Sequence, residues 1–323
     1  MKKVLVIKQG ALGDIIMITP LLKSIRQQHP DDSLWLLTTP AFSDVFSNWP
    51  GITVKSIPRK GIRHIIKTVA WIRKNHFNRI YDLQSNDRSA ALCALSNAPE
   101  RIGNHPHYPY NIHPTDSYKG QCHIFERMQA ILASAGVSNI CDIPCLPVDI
   151  KEKERIQSWL KRYDLFTRPF VILHAGTSPK HPEKCWPYYS QIGKSLEDRG
   201  VQCVWIGSET DERLNTVLSE IAGINATGDF TLPELAELGK CAQFAVTNDS
   251  GPMHVLSCSG IPVYAFFGPT NWRRNHALGQ GHNVITLQPD DIAGKTIKDP
   301  AISDLGNITV QQVIDRLEQD NML

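Results

Sequence analysis

Three short stretches set polar residues at spacings that chemistry uses. In TNDSGPMHVLSCSG, which begins at Thr247, the run Asp249, Ser250, Gly251 and Pro252 separates an apolar segment from a helical pattern. Asp and Ser are good N-capping residues and Pro suits a first helical turn, so a helix is predicted to start here. Its free backbone N–H groups and positive dipole end suit a phosphate or diphosphate. Gly251 lets an anion come close to the backbone, and His254 follows about one turn in. An ordinary capped helix after a strand would carry the same residues, so this stretch alone leaves the two readings level. Its neighbours tilt the balance. HAGTSPKHPEKCWP, from His174, also follows an apolar run and offers Thr177, Ser178 and Lys184 as hydroxyl and ammonium donors to phosphate. VQCVWIGSET ends by presenting Glu209, a carboxylate placed for a ribose diol.

Near the start of the chain, KQGALGDIIMITP sets Asp14 where a buried strand gives way to a helix. Asp14 fits three roles there: helix cap, part of a nucleotide-binding turn, or catalytic base. Cations gather further along, with Arg59, Lys60, Arg63 and Lys67 in PRKGIRHIIK, Arg88 in QSNDRSA, and Arg101. They form either a surface for an anionic partner or a solvated basic face.

The elements that must position these residues alternate between apolar β-rich runs and amphipathic stretches, as βα units on parallel sheets do. KVLVIK, SLWLLT, ITVKSI and RIYDLQ are predicted strands of the first half; FVILHAG, VQCVWIG, QFAVTND and IPVYAFFG are those of the second. Ile62, Ile65, Ile66, Val69 and Ala70 recur at helical spacing with Arg63, His64 and Lys67 off the stripe, which predicts a surface helix. Residues 104 to 118, rich in Pro, His and Tyr, lose all periodicity and read as an ordered loop lying over other structure. A helix then runs to Gly136, CDIPCLPVDI serves as an interdomain linker, and residues 151 to 162 form the next helix. The expected architecture is α/β: two doubly wound, Rossmann-like domains, residues 1–148 and 149–323, facing across a cleft, with ligands outside the carboxyl ends of the strands.

Composition excludes several classes. With 323 residues, 41% of them hydrophobic and 20% charged, the chain can bury a large core. A formal charge of +2 does not mark a nucleic-acid binder. The apolar start is too short for a signal-peptide core and no stretch approaches the ~20 apolar residues of a membrane span, so a cytoplasmic location is expected, with any membrane contact peripheral. Eight cysteines form no CxxC pair and read mostly as buried thiols rather than a zinc site. A dinucleotide-dependent dehydrogenase would need a GxGxxG turn, and GALGD supplies only one suitable glycine spacing.

GALGDIIMITPLLKSIR, KCWP and NDSGPMHVLSCSGIPVYAFFGPT together resemble glycosyltransferase family 9, whose best-known members are the ADP-heptose:lipopolysaccharide heptosyltransferases. The resemblance runs through almost the whole chain. It implies a GT-B fold and an inverting transfer with neither metal nor cofactor, from a nucleotide-diphosphate sugar, ADP-heptose, to the Kdo- and heptose-bearing lipid A core of lipopolysaccharide. Other family donors or acceptors, or a degenerate sugar-binding homologue, are the alternatives; intact Asp14, Lys184 and His254 argue against the last. Carried over, the family's catalytic aspartate falls on Asp14 and its diphosphate-contacting lysine on Lys184. Its Asp-Thr-Gly run becomes Asp249, Ser250 and Gly251, beside Pro252 and His254. Glu209 takes the ribose, and adenine falls near Leu232 and Leu235. The second domain then holds the donor, with Thr177 and Ser178. The first holds the base and the anionic acceptor, with Lys60, Arg63, Arg88 and Arg101 as candidate contacts.

Overall fold

The computed structural model describes residues 1–115 and 122–323. The chain divides into two compact units, Met1–Pro147 and Val148–Leu323.

In the first unit, five strands form a wholly parallel sheet in the order β3-β2-β1-β4-β5. These are β1 (Lys3–Ile7), β2 (Ser33–Thr38), β3 (Ile52–Ser56), β4 (Arg79–Asp82) and β5 (Glu100–Ile102). The central strand is buried along almost its whole length, the expected state of a parallel strand covered on both faces. Four of these strands match the apolar runs; β5 is a three-residue edge strand, too short to show a period.

The helix Ile62–Asn75 corrects the expected stripe. Thr68 and Ile72 are buried and Ile65 and Val69 pack partly on the core, whereas Ile62 and Ile66 are 68% and 63% exposed and Ala70 is exposed as well. At 100° per residue the five apolar positions cover an arc of about 140°, and the helix turns only one edge of that broad face inward.

The irregular stretch after β5 is ordered over its described part. Tyr110 lies against Gly103, where an added Cβ would collide with the ring, and its hydroxyl donates to buried Asp82 at 2.5 Å. Residues 116 to 118 of that expected loop lie outside the described residues.

The second unit holds six parallel strands in the order β11-β10-β9-β6-β7-β8. They are β6 (Phe170–His174), β7 (Gln202–Trp205), β8 (Ile224–Asn225), β9 (Ala245–Asn248), β10 (Val263–Phe267) and β11 (Val284–Thr286). The helix Ile150–Arg162 opens the unit with a capping box between Asp149 and Glu152. Trp186 is wholly buried and stacks on Phe266 at 4.3 Å between centroids, with its indole N–H donating to the Ile308 carbonyl at 2.8 Å. Among the described residues no helix is long and apolar enough to cross a membrane.

Candidate active site

In the first unit the site forms at the carboxyl end of β1. The strand runs out into Lys8, and the helix Leu12–Met17 begins four residues later. Ala11, not Asp14, occupies the N-cap position, so the capping role considered for Asp14 does not hold. Asp14 sits instead in the first turn, its side chain 24% exposed, with Oδ2 3.2 Å from the ammonium of Lys8, whose side chain is only 3% exposed. Lys8 also donates to the Leu83 carbonyl at 3.0 Å. A buried ammonium anchored to the backbone thus fixes a carboxylate that keeps a face toward solvent.

Lys8 was not singled out from sequence, and neither was Asp82 at the end of the adjacent β4. Asp82 is fully buried, and burial raises its carboxyl above the usual range, opposed by hydrogen bonds from Tyr110, the Ser85 and Gln84 backbone and Ser89. It shapes the turn that leads into the helix Asp87–Ala94, which carries Arg88.

The basic residues divide. Lys60 and Arg63 are exposed. Arg88 donates to the Pro58 carbonyl at 3.4 Å, and burial together with neighbouring Arg59 lowers its affinity for a proton. The half-buried Arg101 donates from its guanidinium to the carbonyls of Pro109 (2.6 Å) and Ala98 (2.5 Å), bracing the loop after β5.

In the second unit the candidate donor residues lie in the segments that follow the carboxyl ends of β6, β7, β8 and β9. Buried Trp186 gives its backbone N–H to Asn248 Oδ1 at 3.0 Å, and Asn248 donates to the Ala175 carbonyl at 2.9 Å. That clamp delivers Lys184, in the short turn Pro182–Lys184, to Asp249 Oδ2 at 2.7 Å; the side chains are 20% and 11% exposed. The Thr270 hydroxyl donates to the same carboxylate oxygen. Asp249 is therefore no helix cap. Ser250 holds the N-cap position of the helix Gly251–Ser257 without a side-chain capping bond, and Gly251 and Pro252 open that helix. The Ser250 hydroxyl lies 3.2 Å from His174 Nδ1 and donates to the Asn248 carbonyl at 3.2 Å. His254 is buried in the helix. Thr177 and Ser178 occupy the loop after β6, the first half-buried and the second exposed.

Glu209 is exposed, in the turn Glu209–Asp211 beyond β7. Asp211 closes that turn with a reciprocal bond to Ser208 and packs against Gly176 and Gly207; a Cβ on Gly207 would sit 2.7 Å from the Asp211 Cβ. Leu232 opens the helix Leu232–Gly239 and is half-buried, while Leu235 is buried. A capping box of Thr231 and Glu234 fixes that helix start, and Arg155 grips Glu234 through both carboxylate oxygens.

Two further groups were missed. Desolvation drives the His174 imidazole down to about 4 against the pull of Asp211, so it is neutral at physiological pH. Arg274, buried in the turn Trp272–Asn275 after β10, has an Nη1 with no hydrogen-bond partner among the described residues. No local sequence pattern distinguishes a buried Lys8 or Arg274 from a solvated cation.

Two parallel Rossmann-like sheets, one in each unit, are the architecture of the GT-B class. The family model for glycosyltransferase family 9 (heptosyltransferase) matches residues 65–300, and the chain belongs to that family. It is 24% identical over 314 residues to lipopolysaccharide heptosyltransferase 2 of Escherichia coli K12, covering 88% of each chain. Among solved structures it resembles a family 9 glycosyl transferase from Veillonella parvula, with a TM-score of 0.82, 23% identity and coverage of 98% of this chain and 96% of that one. It also resembles the E. coli ADP-heptose lps heptosyltransferase II, with a TM-score of 0.76, 24% identity and coverage of 99% and 98%.

Proposed function

We propose that this glycosyltransferase moves heptose from ADP-heptose to the inner core of lipopolysaccharide, with inversion and without a metal ion, at the cytoplasmic face of the inner membrane. The first unit carries the base and receives the acceptor, and the second holds the donor. The observation that carries the reading is the Lys184–Asp249 pair beside the start of the helix Gly251–Ser257, in a family 9 chain.

In the proposed reaction an acceptor hydroxyl attacks the anomeric carbon of heptose as the bond to the nucleotide diphosphate breaks. Asp14 takes the hydroxyl proton, with Lys8 holding its carboxylate in place. Negative charge grows on the departing diphosphate. Lys184, shared between Asp249 and that diphosphate, and the backbone N–H groups from Gly251 onward neutralise it, which is the work a divalent ion does elsewhere. Glu209 receives the ribose hydroxyls, and the exposed edge of Leu232 receives the base. Lys60, Arg63 and Arg88 face the phosphorylated acceptor.

The test is a thermal-shift comparison of ADP, UDP, GDP and dTDP. A preferential shift with ADP supports the donor assignment. A preference for another nucleotide redirects it within the family, and no shift with any of the four contradicts a donor site here.

A further inference from the structure

We propose that the outward face of the helix Ile62–Asn75 is a docking surface for an anionic lipid bilayer. This deepens the membrane-face location above by naming the element that touches lipid, while the docking itself does not depend on which sugar is transferred.

Ile62, Ile66 and Ala70 follow one another at one-turn spacing along the exposed side of the helix, and Arg63, Lys67 and Lys74 run beside them on the same side. At 100° per residue these six positions occupy about 140° of the circumference. Buried Thr68 and Ile72 mark the opposite side, which packs on the core of the first unit. An isoleucine on a surface helix is ordinary when single, but two a turn apart, 68% and 63% exposed and set in a cationic face, make a small apolar strip with a basic border.

The charge is one-sided. From residue 57 to residue 77 the chain has Arg59, Lys60, Arg63, Lys67, Arg73 and Lys74 and not one Asp or Glu. Arg88 adds its charge beside Arg59. Like charges gathered without acids favour a partner that presents many anions over an area. Nucleic acid would meet the cations but leave the isoleucines unused, and two aliphatic side chains are too little surface to seat a stable protein partner. An anionic leaflet meets both: lipid phosphates answer the cations, and the isoleucines enter the boundary between headgroups and acyl chains, the pattern of an interfacial helix. Each Lys or Arg near such a surface strengthens binding roughly fivefold at low salt.

The full chain should be sedimented with vesicles of phosphatidylcholine alone and of phosphatidylcholine mixed with phosphatidylglycerol. Binding to the mixed vesicles only, weakening as salt rises, is expected. The variants Ile62→Ser/Ile66→Ser and Lys67→Glu/Lys74→Glu should each bind at least ~10-fold more weakly while melting like the unmodified chain. The serine pair should also keep full turnover on a water-soluble core fragment and lose it on acceptor carried in vesicles. Equal sedimentation of the serine pair and the unmodified chain, or indifference to phosphatidylglycerol, would overturn the proposal. So would loss of self-association in the serine pair with no change in vesicle binding, which would assign the face to a second copy. Should neither acceptor be glycosylated by any form, the transfer reading fails while sedimentation still decides the docking.

Discussion

Replacing Lys184 by methionine keeps most of the side-chain stem and removes only the ammonium. That ammonium sits 2.7 Å from Asp249 Oδ2, with both side chains less than a third exposed. The gross attraction at this distance is several kcal/mol at an effective dielectric near 20, but desolvation offsets much of it. A hydrogen bond to a charged group contributes a net ~2 kcal/mol, and Asp249 keeps its bond from Thr270, so Lys184→Met should cost about that amount. For a unit of this size it corresponds to a fall in Tm of roughly 4 to 8 °C. Asp249→Asn should cost a similar amount, and the double variant scarcely more than either single, a coupling of about 1 to 2 kcal/mol. Intrinsic tryptophan fluorescence is a suitable probe, because buried Trp186, two residues from Lys184, is among the seven indoles that report unfolding. The same lysine substitution should lower kcat on the order of 10²-fold, since the charge it answers grows toward the transition state. Single-variant costs that simply add, within about 0.3 kcal/mol, would refute the pairing; an unchanged kcat would make Lys184 structural only.

Asp14→Asn should leave nucleotide-sugar binding near normal in calorimetry and cut turnover by ~10²-fold or more; near-normal turnover would remove Asp14 from the role of base. Activity should persist in excess EDTA, and loss that Mg²⁺ or Mn²⁺ restores would show that the diphosphate is not neutralised by Lys184 and the helix start alone. Buried neutral His174 makes stability depend on pH. Its folded value of about 4 lies below that of the free imidazole, so the unfolded chain binds the extra proton as pH falls from about 6.5 to 4. Stability should drop by about 3 kcal/mol across that window, with no contribution from this group above it. Urea midpoints measured for the chain and for His174→Gln should diverge there; parallel pH profiles would mean that His174 is not held neutral.

The central strands could be read from sequence because a strand buried on both faces is a continuous apolar run, and β1, β6 and β10 are of that kind. The edge strands β5, β8 and β11, two or three residues each, carry too few positions for any period and are fixed by pairing with their neighbours. The start of the helix Gly251–Ser257 was visible through the capping residues of the Asp249-Ser250 run; Ser250 takes the N-cap position, and Asp249 pairs with Lys184, which the sequence does not show. The polar cast at the strand ends was recognisable by residue type. The partners were not: Lys8 is buried against the Leu83 carbonyl, which a distant part of the chain supplies, as well as against nearby Asp14, and Arg101 binds the Pro109 carbonyl of the loop after β5. At Ile62 and Ile66 helical periodicity gave the element but not which edge of a broad apolar face turns inward.

The most direct measurement of the proposed transfer is mass spectrometry of a deacylated lipopolysaccharide inner-core acceptor after incubation with the purified chain and ADP-heptose in EDTA. The proposed transfer gives a product heavier by one heptose, whose new linkage, read by NMR of the same product, is inverted relative to the donor, formed by the chain and not appreciably by Asp14→Asn. An unmodified acceptor under conditions where the donor is shown to bind, or a product whose linkage retains the donor configuration, would contradict it.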